Sequence, residues 1–144
     1  MPSTFNDFGV HFLYPDNWSI LSCDSDESSD TVTLEMPNGG FFSVTNYSEP
    51  QAIDELLSKF ASAMREEYPQ AEIEEIVTTP HGNEATLDLS FYYLDLLIVA
   101  RVTAMTLGEQ TVVVQVQAES RDFDAGELVF AAMLKSIRDG VTAR

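Results

Sequence analysis

Residues 96–100, Leu-Leu-Ile-Val-Ala, carry an aliphatic side chain at every position. Successive side chains of an extended strand point to opposite sides. A strand apolar on both sides has no face to give to water, so it belongs in the middle of a sheet with a layer packed on each side. This one segment makes a layered sandwich the expected architecture.

The rest of the chain supplies the layers. Residues 8–14 read as an apolar, aromatic strand; Pro15, Asp16 and Asn17 signal a turn, and residues 18–23 return as its hairpin partner. Residues 31–36 alternate, with Val32, Leu34 and Met36 on one face, and Pro37-Asn38-Gly39-Gly40 turns the chain into residues 41–45. A helix follows: Ser48, Pro50 and Gln51 form a capping pattern, and Ile53, Leu56, Leu57, Phe60, Ala61, Met64 and Tyr68 recur at helical spacing up to Pro69. Residues 71–79 suit a short, charged edge strand. Ala85, Leu87, Leu89, Phe91 and Tyr93 alternate with mostly polar neighbours. Gly108 marks the next turn, and Val112, Val114 and Val116 resume the alternation. Asp124 and Glu127 make a second capping pattern before residues 128–134, which are apolar almost all round, with Gly140 as the stop. The expected order is four strands, a helix, four strands and a helix. Short turns join antiparallel neighbours, so the fold class is α+β, a largely antiparallel sheet with two main helices packed on it, in a single domain spanning residues 1–144.

Charge narrows the function. The 24 acidic groups outnumber 7 basic ones, giving a formal charge of −17. That field repels phosphate backbones and anionic lipid surfaces, so no nucleic acid and no membrane surface is expected as a partner. The charge itself is read as solubility rather than as a dedicated basic partner. The longest apolar stretch, residues 94–104, is interrupted by Asp95 and Arg101 and is too short to span a bilayer. The N-terminus shows no export pattern, so a cytoplasmic location is expected. Cys23 is the only cysteine, which leaves no intrachain disulfide and no thiolate metal cluster.

The candidate chemistry is thin. In Asp24-Ser25-Asp26-Glu27-Ser28-Ser29-Asp30, oxygens at Asp24, Asp26, Ser28 and Asp30, with Glu35 further on, match calcium-loop positions one, three, five, seven and twelve. Position six is Ser29 rather than glycine and strands flank the run, so a solvated acidic turn is preferred. His11 and His81 have no evident third partner, the pairs Glu66-Glu67 and Glu74-Glu75 are adjacent in sequence and do not face each other, and neither G-x-S-x-G nor a P-loop occurs. No catalytic residue and no cofactor is assigned. Asp88 and Arg101 lie in apolar strands and are expected to project past the edge of the sheet. Phe91, Tyr92, Tyr93, Trp18, Phe41 and Phe42 are core candidates that could also line a groove. Val129, Phe130, Met133 and Leu134 cannot all face one sheet, so part of that helix is expected to meet a protein partner or a second copy of the chain.

Two stretches carry a family resemblance. Gly9-Val10-His11-Phe12-Leu13-Tyr14-Pro15-Asp16-Asn17-Trp18 resembles the opening of the PsbP-like superfamily. Phe130-Ala131-Ala132-Met133-Leu134-Lys135-Ser136-Ile137-Arg138 resembles its final helix, with Ile137 where an aromatic residue is usual. The resemblance implies an α/β/α sandwich and, since most members are accessory or binding proteins, a non-enzymatic role with a protein partner. Alternatives are a cytoplasmic chaperone for hydrophobic segments, a carrier of a small apolar ligand, and a small hydrolase.

Overall fold

The computed structural model describes residues 2–140. Strands β1 (Ser3–Asp7) and β2 (Val10–Tyr14) form a hairpin that is a sheet of its own. Its loop is Phe8-Gly9, both at positive φ (36° and 82°), with the Asp7 carboxylate accepting the Phe8 N–H at 2.7 Å. This corrects the expected opening hairpin. Residues 18–23 do not pair with residues 8–14; residues 19–23 belong to β3 (Ser19–Ser25), the edge of the second sheet, which pairs with β4 (Ser29–Glu35).

The chain continues through β5 (Phe41–Tyr47), α1 (Ile53–Glu67), β6 (Glu72–Ile73), β7 (Val77–Thr78), β8 (Glu84–Tyr93), β9 (Leu96–Leu107), β10 (Gln110–Glu119) and α2 (Ser120–Gly140). Five strands therefore precede each helix among the described residues, against the four expected. The large sheet runs β3-β4-β5-β10-β9-β8-β6, with β7 also on β8, and every pairing is antiparallel. The predicted edge segment is present as the two-residue strands β6 and β7.

Period-two alternation sends each strand's apolar residues to one of two cores. On one face Val32, Leu34, Phe42, Val44, Val112 and Val114 pack against Phe5 and Phe12 of the small hairpin and Phe123, Phe130 and Ile137 of α2. On the other, Ala85, Leu87, Leu89 and Phe91 of β8 and Ala100, Val102 and Ala104 of β9 pack against Ile53, Leu57 and Ala61 of α1. Strand β9 serves both. Val102 and Ala104 look to α1, while Met105 lies in the α2 core and Thr103 between them is 3% exposed. The stretch buried on both sides is thus residues 102–105, beyond the run singled out in the sequence. Within that run Ile98 and Val99 are half-buried, one against each core, and Leu96 is exposed because the β8–β9 hairpin overshoots the helices.

Neither predicted capping pattern caps a helix. The α1 N-cap is Ala52, with no side-chain bond; the Ser48 hydroxyl donates to the Ser28 carbonyl at 3.0 Å, and the Gln51 N–H donates to Thr111 Oγ1 at 2.9 Å. Helix α2 begins four residues before Asp124, directly off β10, and the Glu119 carboxylate accepts the Arg121 N–H at 3.1 Å. Gly140 is required by contact: a Cβ there would collide with the His11 carbonyl, so the end of α2 lies directly on the β2 backbone.

The acidic run is the β3–β4 turn. Asp26 Oδ1 accepts the N–H groups of Ser28 (2.7 Å) and Ser29 (2.9 Å) and the Ser28 hydroxyl (2.9 Å). Those bonds, the Ser28 N–H first, hold the Asp26 pKa below the ordinary carboxylate value of 3.8. Asp24 and Asp30 sit in the paired strands opposite Thr31 and Ser25. Glu35 closes the far end of β4 against Ser19, five residues from Asp30 or ~17 Å along a strand. The five residues of the calcium pattern are not brought together. The turn explains the spacing, since aspartate and serine satisfy their own backbone at such a corner.

Three outcomes follow from this structure. Leu87→Ala removes a fully buried side chain and should lower the unfolding free energy by about 2–5 kcal/mol in urea melts, whereas Leu128→Ala, at 87% exposure, should stay within about 0.5 kcal/mol of the parent. The Asp26 carboxyl, followed by NMR, should titrate below 3.8. Because its folded value is depressed, the stability it contributes is complete above the unfolded value and disappears as pH falls through the folded one. Adding calcium should leave the Asp26 and Asp30 amide resonances in place.

Candidate interaction surface

The charged pair read as projecting past the sheet is instead a clamp. Asp88 and Arg101 face each other across β8 and β9, with Arg101 Nε donating to Asp88 Oδ1 at 2.7 Å and Nη2 to Oδ2 at 3.4 Å. The same guanidinium lies 3.6 Å from Glu127 of α2 and 5.2 Å over the Phe123 ring. Its pKa is raised, chiefly by the bond to Asp88. At the other end of α2, Arg138 makes a two-pronged bond to Glu84 of β8, both arms at 2.7 Å. These cations pin the helix across the sheet and offer nothing for acid–base chemistry.

His11 on β2 and His81 in the turn before β8 are both exposed and lie on separate elements. Among the described residues no group of three or more His, Cys, Asp or Glu side chains is placed to hold a metal. Cys23 is exposed on edge strand β3. Trp18, Phe42 and Phe91 pack inward as core aromatics, with Trp18 against Phe42 (6.0 Å) and Phe130 (6.2 Å), and Phe91 stacked on Tyr68 at 4.0 Å. Phe41 is half-buried.

The four candidate residues of α2 divide. Phe130 and Met133 are core side chains, Leu134 is half-buried and Val129 is exposed. Beside Val129, Leu128 stands almost free of the protein at 87% exposure. Across from them Leu13 of β2 is 43% exposed. Together with Tyr14, Pro15 and Ala132 these residues line an open groove of about 530 Å³ between β2 and α2. Leu13 and Leu128 escaped the sequence reading because nothing local to either residue says that β2 lies alongside α2.

A second exposed apolar feature is the tip of the β8–β9 hairpin. Tyr93 and Leu96 close a two-residue loop in which Leu94 and Asp95 have φ of 51° and 66°. Tyr92, Tyr93, Leu94 and Leu96 all stand open to solvent. Tyr93 was expected on the buried face of its strand, but α1 ends before reaching it. The bulk of Tyr92 and Tyr93 was visible in the sequence. Their position beyond the helix was not.

No family model matches the sequence, and neither does any curated protein. Solved structures do match. The Saccharomyces cerevisiae Ran-binding protein Mog1p aligns with a TM-score of 0.60 at 9% identity, covering 96% of both chains. Cyanobacterial PsbP from Synechocystis aligns with 0.58 at 17% identity, covering 94% of this chain and 90% of its own. A Pseudomonas aeruginosa protein of unknown function aligns with 0.57 at 13% identity, covering 99% and 98%. At such identities the likeness is one of architecture, and it extends from end to end: the chain has the α/β/α sandwich fold of PsbP and Mog1p.

Proposed function

We propose that the chain is a non-enzymatic protein-binding module that holds an apolar segment of a partner in the groove between β2 and α2. The observation that carries this reading is Leu128, 87% exposed and flanked by Val129 and Leu13. A leucine on a helix face that contributes nothing to its own core marks a contact surface when it sits in a contiguous apolar patch. The solved structures favour binding as well, since one of them is a Ran-binding protein. A hydrolase needs a nucleophile and base within hydrogen-bond reach, and the two histidines stand on separate, exposed elements.

A chaperone for hydrophobic segments would use the same groove, and its aliphatic lining suits that role. Replacing Leu128 or Val129 by Asp should weaken partner binding by roughly tenfold or more, since each exposed aliphatic side chain buried on binding contributes about 1.5–3 kcal/mol. A photo-crosslinking residue at position 128 or 132 should give discrete adducts in the native cell that vanish when Leu13→Asp is added. The same residue at Lys59, on α1, is the control. Identical adduct patterns at Lys59 and Leu128 would refute the groove as the contact.

A further inference from the structure

Two features at one end of the large sheet weaken the folded chain with no return inside it, and they meet. The first is the β8–β9 loop. A two-residue hairpin loop with both residues at positive φ selects Asn-Gly or Asp-Gly, because a side chain with a Cβ is strained there. This chain has Leu94 at φ 51°, and at 79% exposure its side chain recovers nothing by packing. The second is the end of α1. Its last turn carries Glu66 and Glu67, carboxylates set against the negative end of the helix dipole, with Arg65 the basic residue there. No ion pair among the described residues relieves either one.

Between these features lies a recess of about 430 Å³ lined by Glu67, Tyr68, Gln70, Phe91 and Tyr92. Tyr68 is stacked on Phe91 at 4.0 Å, and Tyr92 is 72% exposed. Tyr68 and Phe91 each spend a ring face on the other, so the exposed Tyr92 ring, beside the Glu67 carboxylate at the helix C-terminus, offers a cation its site, through ring quadrupole, charge and dipole acting together. The net charge of −17 alone would not single out this place, being spread over the whole chain; the local conflict of charge and dipole does.

We propose that this end of the molecule receives an arginine or lysine of a partner protein, the cation entering the recess while apolar residues flanking it pack on Tyr93, Leu94 and Leu96. A second copy of this chain is a poor occupant. It would bring the same net charge of −17 against an already acidic surface. The surface is distinct from the β2–α2 groove and stands on its own observations.

The probe is the peptide acetyl-Ala-Leu-Arg-Leu-Ala-amide, titrated into ¹⁵N-labelled protein, beside two relatives: one with citrulline for arginine, which keeps shape and loses charge, and one with glycine for both leucines. Saturable shifts confined to residues 67–71 and 91–96 are expected for the first, with the other two weaker by about tenfold or more. Leu94→Asn suits the loop better and Glu67→Gln removes a carboxylate from the helix end. Each should therefore raise the thermal midpoint while weakening the peptide by roughly tenfold, a divergence that a purely structural role would not produce. Leu128→Asp, in the other groove, should change neither quantity, so failure of one surface is separable from failure of the other. Equal binding of the glycine peptide, shifts centred on Leu13 and Leu128, no saturation at millimolar peptide, or unaltered binding to Leu94→Asn would each overturn the proposal.

Discussion

Strand β9 is the element of this sheet kept dry on both sides over the longest stretch, and the placement of both helices answers to it. Ala100, Val102 and Ala104 need a cover on one face, and Val99 and Met105 need one on the other. Helix α1 provides the first by lying over β8 and β9; α2 and the small hairpin provide the second while spreading over β10, β5 and β4. The two covers are offset, so they overlap only near β9 and the adjoining Thr111–Val113 stretch of β10. Elsewhere each strand has a single buried face and alternates accordingly. Thr31, Thr33, Ser43 and Thr45 lie opposite the α2 core, and Thr86, Asp88 and Ser90 opposite the α1 core. Arg101 sits where the α2 cover runs out, which is why a charge is tolerated in a strand otherwise this apolar.

That offset explains what was legible in the sequence. Alternation in β4, β8 and β10 reports a strand with one wet face, and Val32, Leu34, Leu87, Leu89, Val112 and Val114 are buried as their spacing requires. The stripe of α1 is likewise an intrinsic 3.6-residue signal. The losses came where tertiary contacts decided. Phe8 at positive φ is invisible in a sequence, so Phe8 read as strand when it is the turn of a hairpin whose first strand, Ser-Thr-Phe-Asn-Asp, has a single apolar residue. Asp124 and Glu127 have the spacing of a capping box, yet α2 starts directly off β10, and those positions fall inside the helix with Glu127 turned toward Arg101. Leu94 carries no turn signal of any kind.

The two exposed apolar surfaces were legible in half. Apolar excess on α2 was plain, because no single sheet can absorb Val129, Phe130, Met133 and Leu134 together. Which of them would be left over depended on where β2 lay, and the answer was Val129 with its neighbour Leu128. The hairpin tip was harder to foresee, since Tyr92, Tyr93 and Leu94 look like any strand end until α1 is seen to stop short of them. Both surfaces follow from the same geometry. The helices do not reach the ends of the strands and cannot bury all of their own apolar residues.

Amide hydrogen exchange under native conditions tests the two-sided shelter of β9 most directly. Opening the amides of residues 100–105 and their partners in β10 requires lifting both layers, so these should exchange only through global unfolding, with the same denaturant dependence as the whole molecule, while β3, β6 and β7 exchange by local opening. Exchange at residues 100–105 as free as that of edge strand β3 would contradict this, because a central strand held between two layers cannot open on its own.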